Sequence, residues 1–298
     1  MAGTVMGSVG RVVSDSMIGL KLPDYTRHSN LVITVLGQNP SSFTGPGTNT
    51  YIIGSGPRRL MLDTGQGVEA YAGLLETALH ELAGGASIND IILTHAHIDH
   101  ISGVGQVRAR FGDLKVRKMP WPESDRAAGV TVTPIGDGAV IGANGVTLRA
   151  IHTPGHSPDH LCYYLEAERA LFSGDVVLGA GTTVIPDDYG DLAQYMDSLR
   201  KLLAMDIEVI YPGHGPAIRN PHQKIRQYIE HRMLRESQIV HALKDGPRTV
   251  MELVRGMYAD VPEHLHQAAA SSVRSHLKKL ERERVVTKQA DDGRWILR

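Results

Sequence analysis

Apolar residues recur along this chain in two rhythms. Short β-rich runs at Leu31-Val-Ile-Thr-Val-Leu36, Asn49-Thr-Tyr-Ile-Ile53 and Ile91-Ile-Leu93 predict strands. The turn-rich loop Asn39-Pro-Ser-Ser-Phe-Thr-Gly-Pro-Gly47 joins the first two, as a plain connection or as a loop that contacts substrate. From Val68 to Leu82 the apolar residues Tyr71, Leu74, Leu75, Ala78 and Leu79 fall at helical spacing, which predicts an amphipathic helix. Residues 193–205 predict another. Strand-like runs return before Thr153, at Leu161-Cys-Tyr-Tyr-Leu165, before Gly174 and at Val209-Ile-Tyr211. The alternation predicts an α/β assembly with helices outside.

The C-terminal part has a different rhythm. Pro221 to Leu243 carries Ile225, Tyr228, Ile229 and Met233 in a long helical pattern, which Gly246-Pro247 breaks. Thr249-Val-Met-Glu252 is a capping-box pattern that opens a helix to about Tyr258. Glu263 to Glu283 predicts a second helix. Val285-Val-Thr-Lys-Gln289 and Arg294-Trp-Ile-Leu297, joined by Ala290-Asp-Asp-Gly293, predict a hairpin. Helix, helix, hairpin is winged-helix order. The alternative for this unit is a packing appendage that makes a homodimer.

Composition narrows the setting. The chain has 298 residues, 42% hydrophobic and 21% charged, which is ordinary for a globular protein of one large domain and one small one. No run of about 18 apolar residues exists, so no membrane span is expected. One cysteine, Cys162, excludes an internal disulfide and suits an intracellular, reducing compartment. Residues 1–30 form an N-terminal extension without an apolar signal core. Their acids Asp15 and Asp24 argue against a mitochondrial transit peptide, so the expectation is cytoplasmic, with the mitochondrial matrix as the alternative. Charge is uneven: 16 basic and 10 acidic residues follow from Arg219 onward, leaving 15 and 22 for the rest. A basic tail beside an acidic body hints at a polyanionic partner.

The chemistry is concentrated at His95-Ala-His97-Ile-Asp99-His100, directly after the Ile91–Leu93 run. Neutral imidazoles and a carboxylate are the ligands that zinc takes. This HxHxDH signature resembles the metallo-β-lactamase superfamily. Matching motifs follow in order: Thr153-Pro-Gly-His156, Ser173-Gly-Asp175 and Tyr211-Pro-Gly-His214-Gly, each after a β-type run. Leu60-Met-Leu-Asp63-Thr-Gly65 resembles the family's first motif.

The resemblance implies a four-layer αβ/βα sandwich over residues 31–225, with the metals at one sheet edge. Residues 226–298 would then be a helical linker and a winged-helix-like domain. It also implies two zinc ions per chain. His95, His97 and His156 would hold one, Asp99, His100 and His214 the other, and Asp175 would bridge them. A hydroxide between the metals would attack an electrophilic carbonyl or phosphorus, with Asp99 as the catalytic carboxylate that orients it and carries a proton. Asp63 would steady a ligand histidine from behind. The Gly-Asp bridge differs from the true zinc β-lactamases and is similar to hydroxyacylglutathione hydrolases and Z-type ribonucleases.

Gly45-Pro-Gly-Thr-Asn-Thr-Tyr51, Phe172-Ser-Gly-Asp175, Tyr211-Pro-Gly-His-Gly-Pro216 and His276-Leu-Lys-Lys-Leu-Glu281 resemble the β-lactamase-like protein 2 group, which includes single-strand endoribonucleases. Asp63-Thr-Gly-Gln-Gly67 is similar to a neighbouring group of thioesterases acting on acyl carrier protein. Pro186-Asp-Asp-Tyr-Gly-Asp191 looks longer than in the ribonuclease group and would reshape the pocket. His160 would contact substrate or orient its turn, and Thr183 would support the site or merely the turn. The expectation is therefore a dinuclear zinc endoribonuclease on single-stranded RNA, with Arg274, Lys278 and Lys279 gripping phosphates. The alternatives are a thioesterase, lactonase or β-lactam hydrolase with the same metals, and a non-catalytic nucleic-acid-binding protein.

Overall fold

The computed structural model describes residues 17, 19–259, 263 and 266–298. Most of the expected N-terminal extension, including Asp15, lies outside the described residues.

Two sheets form the body. The first contains Tyr25–Arg27 (β1), Val32–Leu36 (β2), Asn49–Ile53 (β3), Arg58–Leu62 (β4), Ser87–Ile92 (β5), Lys115–Lys118 (β6) and Thr133–Pro134 (β7), in chain order. Its pairs are antiparallel up to β4 and parallel from there on. The second contains Val140–Ala143 (β8), Val146–His152 (β9), Leu161–Leu165 (β10), Ala170–Gly174 (β11) and Val209–Pro212 (β12). Only its β11–β12 pair is parallel.

The strands have two apolar faces, and this stacks the layers. On β4, Leu60 and Leu62 point between the sheets while Met61 points outward. On β10, Leu161, Tyr163 and Leu165 face the first sheet, and Cys162 and Tyr164 face the opposite way. Alternating side chains of a strand must cover both surfaces, so a strand apolar throughout needs a cover on each. Glu69–Ala83 (α1) and Val104–Phe111 (α3) cover the first sheet; Leu192–Leu203 (α5) and the start of Pro221–Lys244 (α6) cover the second. The result is the expected order of helices, sheet, sheet, helices. Each Leu or Ile so buried stabilises by roughly 1.5–3 kcal/mol.

Two expected boundaries differ from the structure. β1 pairs with β2 through Tyr25↔Val35, so the sheet begins before residue 31. No break falls at residue 225. Ile225 and Tyr228 of α6 pack under the second sheet, while Ile239 and Leu243 enter the C-terminal core. That core joins α6 to Val250–Met257 (α7), His266–Arg282 (α8), Val286–Lys288 (β13) and Trp295–Leu297 (β14). The capping box forms as expected: the Thr249 hydroxyl accepts from Glu252 N, and the Glu252 carboxylate accepts from Thr249 N. β13 and β14 make the wing, and Arg248 adds a bridge to Trp295.

Cys162 is fully buried, and burial pushes its thiol up to about 12. At pH 8 the thiolate, which is the reactive form, is therefore almost absent. The native protein should resist a disulfide reagent until denatured. Labelling of the folded chain at the rate of an exposed thiol would contradict this packing.

Candidate metal centre

The carboxyl ends of strands from both sheets converge at one edge. β5 leads to His95 and His97, and the short helix Ile98–Ile101 (α2) carries Asp99 and His100. Beyond β9, β11 and β12 lie His156, Asp175 and His214. The structure brings all seven together in two groups. The donor atoms of His95, His97, His156 and Asp175 lie within 4.8 Å of one another, as do those of Asp99, His100 and His214. His100 Nε2 and His214 Nε2 approach Asp175 Oδ1 at 3.5 and 3.4 Å, so Asp175 stands between the groups. Gly213 permits this closeness, because a Cβ there would lie 2.4 Å from Asp175 Oδ1.

Each ligand imidazole is held through its other nitrogen. Asp63 accepts from Thr94 N, from the Thr94 hydroxyl at 2.9 Å and from His100 Nδ1 at 2.7 Å. With the Thr94 proton given to Asp63, its oxygen accepts from His95 Nδ1 at 2.9 Å. His156 Nδ1 donates to Val184 O at 2.7 Å, and His214 Nδ1 to Gly47 O at 3.4 Å. His97 Nε2 meets the Tyr189 hydroxyl at 2.8 Å. These bonds turn the other nitrogen of each ring inward. Buried His95 Nε2, His100 Nε2 and Asp175 Oδ1 have no hydrogen-bond partner. Buried polar atoms without partners are costly, and a bound cation that displaces any proton would satisfy them. Five imidazoles and two carboxylates so placed suit a borderline divalent ion such as zinc.

The two groups differ in charge. Burial pushes His95 well below the ordinary imidazole range, helped by the His100 and His97 rings. Burial and then His156 take His97 down to about 3, and burial also lowers His156. Burial opposes charge on His100 and His214 as well, but there the carboxylates win. Asp99, Asp175 and Asp63 raise His100 well above its ordinary value, and Asp175 with Asp99 raises His214 to about 9. Burial works against ionising Asp99 and Asp175, yet their histidine neighbours hold both below the usual carboxylate range.

The remaining expected residues stand behind the ligands. Asp63 lies behind His100, bonded to its Nδ1. His160 is fully buried rather than open to substrate: its Nε2 accepts from Asp175 N at 3.1 Å and its Nδ1 donates to Thr153 Oγ1. The Thr183 hydroxyl donates to Asp175 O at 2.8 Å, so it holds the same turn. Two residues escaped the sequence reading. The Thr48 hydroxyl donates to Asp99 Oδ2 at 3.1 Å, and Asn39 fixes Thr48 from behind. Its signal was the Gly45-Pro-Gly-Thr-Asn motif. Tyr189, bonded to His97, lay inside the stretch noted only for its length. Buried Lys118 ties Asp125 to Asp159 at 2.9 and 2.6 Å and so fixes the turn between His156 and His160.

A two-sheet sandwich with metal-ligand turns at one edge defines a metallohydrolase fold. The metallo-beta-lactamase superfamily profile matches residues 43–214, and the beta-lactamase-associated winged helix domain matches 249–295. The chain belongs to the metallo-β-lactamase superfamily, whose members are generally hydrolases. It is 40% identical over 272 residues to a beta-lactamase-like protein 2 homolog of Caenorhabditis elegans, covering 90% of each chain. It is 39% identical over 250 residues to an atrochrysone carboxyl ACP thioesterase of Aspergillus novofumigatus, covering 80% of this chain and 74% of that one. A beta-lactamase domain protein from Burkholderia ambifaria shares the fold, with a TM-score of 0.78 at 20% identity over 92% and 93% of the two chains. Among the described residues no helix is long and apolar enough to cross a membrane.

The opposite shifts predict an unequal proton balance. In the metal-free protein the raised pKa values keep His100 and His214 protonated at neutral pH, and the His214 proton leaves as pH rises through about 9. Metal binding there must expel them, whereas His95, His97 and His156 are already neutral. Uptake of a divalent ion by the Asp99, His100 and His214 group at pH 7 should therefore release protons, and that binding should tighten about tenfold per pH unit for each proton displaced. Calorimetry in buffers of different ionisation enthalpy measures the release. Loading of both groups without proton release would contradict the charge assignment.

Proposed function

We propose that this chain is a dinuclear zinc hydrolase of activated carbonyl compounds, with an apolar acyl thioester as its substrate class. The observation that carries the substrate class is the mouth of the metal centre. Large apolar side chains are exposed on the segments that hold the ligands. Ile98, between His97 and Asp99, is 66% exposed, Val184 is 52% and Phe43 is 69%. Val184 bonds His156 through its own carbonyl. Phe43 rides on the loop that ends in Gly47 and Thr48. The Tyr189 ring, bonded to His97, stands edge to face with Trp121 at 5.1 Å. Exposed apolar surface gathered around a polar centre marks a ligand-binding rim. An acyl chain gains by covering it; a polyphosphate backbone does not.

The residues expected to grip RNA are engaged elsewhere. Arg274 pairs with Asp187, Lys278 donates to Asp187 O, and Lys279 is buried between Glu236 and Glu283. The thioesterase relative supports the carbonyl reading further.

His95, His97 and His156 would hold one ion and Asp99, His100 and His214 the other, with Asp175 between them. Two zinc ions, when bound, would acidify a water and polarise the substrate carbonyl oxygen. The protein's own part is positional and protonic. Asp99 would orient the attacking water, accept its proton on a carboxylate oxygen and deliver it to the leaving thiolate. The Thr48 hydroxyl holds that carboxylate in register. The apolar rim would exclude bulk water and seat the acyl group.

Zinc-loaded protein assayed side by side on an acyl thioester, a lactone, a cephalosporin and single-stranded RNA tests this reading. The expected result is highest kcat/KM on the thioester, abolished by a chelator. Asp175→Asn should lower that activity by roughly a hundredfold or more, on the scale of a lost preorganised charge. Cleavage of RNA with no turnover of any carbonyl compound would overturn the substrate class and favour an endoribonuclease.

A further inference from the structure

The segment from Thr182 to Asp191 touches the metal centre on one side and the C-terminal unit on the other. Toward the centre it supplies Val184 O to His156, the Thr183 hydroxyl to the Asp175 turn and the Tyr189 hydroxyl to His97. Toward the C-terminal unit nearly every polar group is taken. Asp187 binds Arg274 through one carboxylate oxygen and the Ser271 hydroxyl, at 3.1 Å, through the other, while its backbone carbonyl takes Lys278. Ser275 donates to Ile185 O at 3.0 Å, and Arg282 to Asp191 Oδ2 at 2.6 Å. Arg232 of α6 donates to Thr183 O.

The five α8 residues follow a rule. Positions 271, 274, 275, 278 and 282 lie at helical spacing and therefore on one stripe. The whole stripe is directed at the loop. Asp191 adds a second anchor, since its Oδ1 caps α5 by accepting from Ala193 N and Gln194 N. Its own N–H donates to Gly155 O, beside ligand His156. Within the loop the chain doubles back so tightly that a Cβ on Gly190 would lie 2.3 Å from Pro186 O. The turn so formed presents Tyr189 to His97.

We propose that Tyr189 is a positioning residue for His97, and that the α8 stripe is a strap that fixes Tyr189 there. The C-terminal unit is then a working part of the metal centre. His97 must offer Nδ1 inward, where it lies 2.9 Å from His156 Nε2. Its Nε2–H must then point outward and find an acceptor, and the Tyr189 oxygen is that acceptor. Outer partners of this kind fix the tautomer and the plane of a ligand ring. The other four ligand histidines draw theirs from the catalytic body or from the Val184 carbonyl. His97 alone draws it from a side chain on the strapped turn. This inference rests on the dinuclear reading of the site.

The test is competitive chelator titration of zinc on the full chain, resolved into two binding steps, for wild type and three variants. Tyr189→Phe removes only the hydroxyl and keeps the ring against Trp121. Arg274→Ala combined with Lys278→Ala loosens the strap without touching the centre. Thr249→Ala removes the cap of α7, away from the loop, and controls for general stability. Tyr189→Phe and the strap variant should each weaken one zinc step by about 10–100-fold and leave the other unchanged. Thr249→Ala should move neither. In the nitrogen-15 spectrum of metal-loaded protein, the His97 Nε2–H signal should lose its hydrogen-bonded shift in both active variants. Unchanged zinc affinity in Tyr189→Phe would overturn the role of Tyr189. A weakened Tyr189→Phe beside an unaffected strap variant would overturn the strap. Wild-type protein that takes up no zinc would instead overturn the dinuclear reading itself.

Discussion

Every imidazole of the candidate metal centre spends one nitrogen on a protein partner and turns the other toward the centre. Thr94, Tyr189, Asp63, Val184 and Gly47 supply those partners, from four separate segments, since Val184 and Tyr189 share one. A ring held at one nitrogen has its tautomer and tilt decided before any ion arrives. The cost is that all of these segments must arrive together. The sandwich meets that demand, because the interlocked faces of two sheets fix the ends of β5, β9, β11 and β12 relative to one another. Small turns then deliver the ligands, and Gly213 shows how little spare room remains. Fold and site are in this sense one constraint.

Much of this was legible in the chain. All seven residues of the candidate centre sit in short contiguous motifs, and a strand apolar on both faces advertises its two covers. Asp63 could be named because its motif is as local as theirs. Thr48 and Tyr189 could not, since each acts on a ligand more than fifty positions away and carries no metal-binding chemistry of its own. Only the fold creates those distances.

The basic tail teaches the complementary lesson. Arg274, Lys278 and Lys279 announce their sign in the sequence but not their partner. Asp187 pairs with Arg274, Glu236 and Glu283 pair with Lys279, and Lys278 donates to the Asp187 carbonyl; Asp187 and Glu236 lie in segments that sequence distance separates from α8. Two of the three positions read as a phosphate-binding face, Arg274 and Lys278, lie on the stripe that closes on the 182–191 loop. Boundaries were misjudged for a related reason. α6 runs uninterrupted through residue 225, and a helix that serves two cores leaves no compositional mark where one hands over to the next.

That shared helix has a mechanical consequence. At 24 residues and 1.5 Å per residue, α6 is a beam of roughly 36 Å, embedded at each end in a different core. Domains joined by a floppy tether meet by chance, with an effective concentration set by the tether's random-coil span. Here the tether is a solid rod, so almost none of the encounter entropy remains to be lost when the helical stripe closes on its loop. The seam can therefore be built from hydrogen bonds and ion pairs, individually weak in water, and still hold.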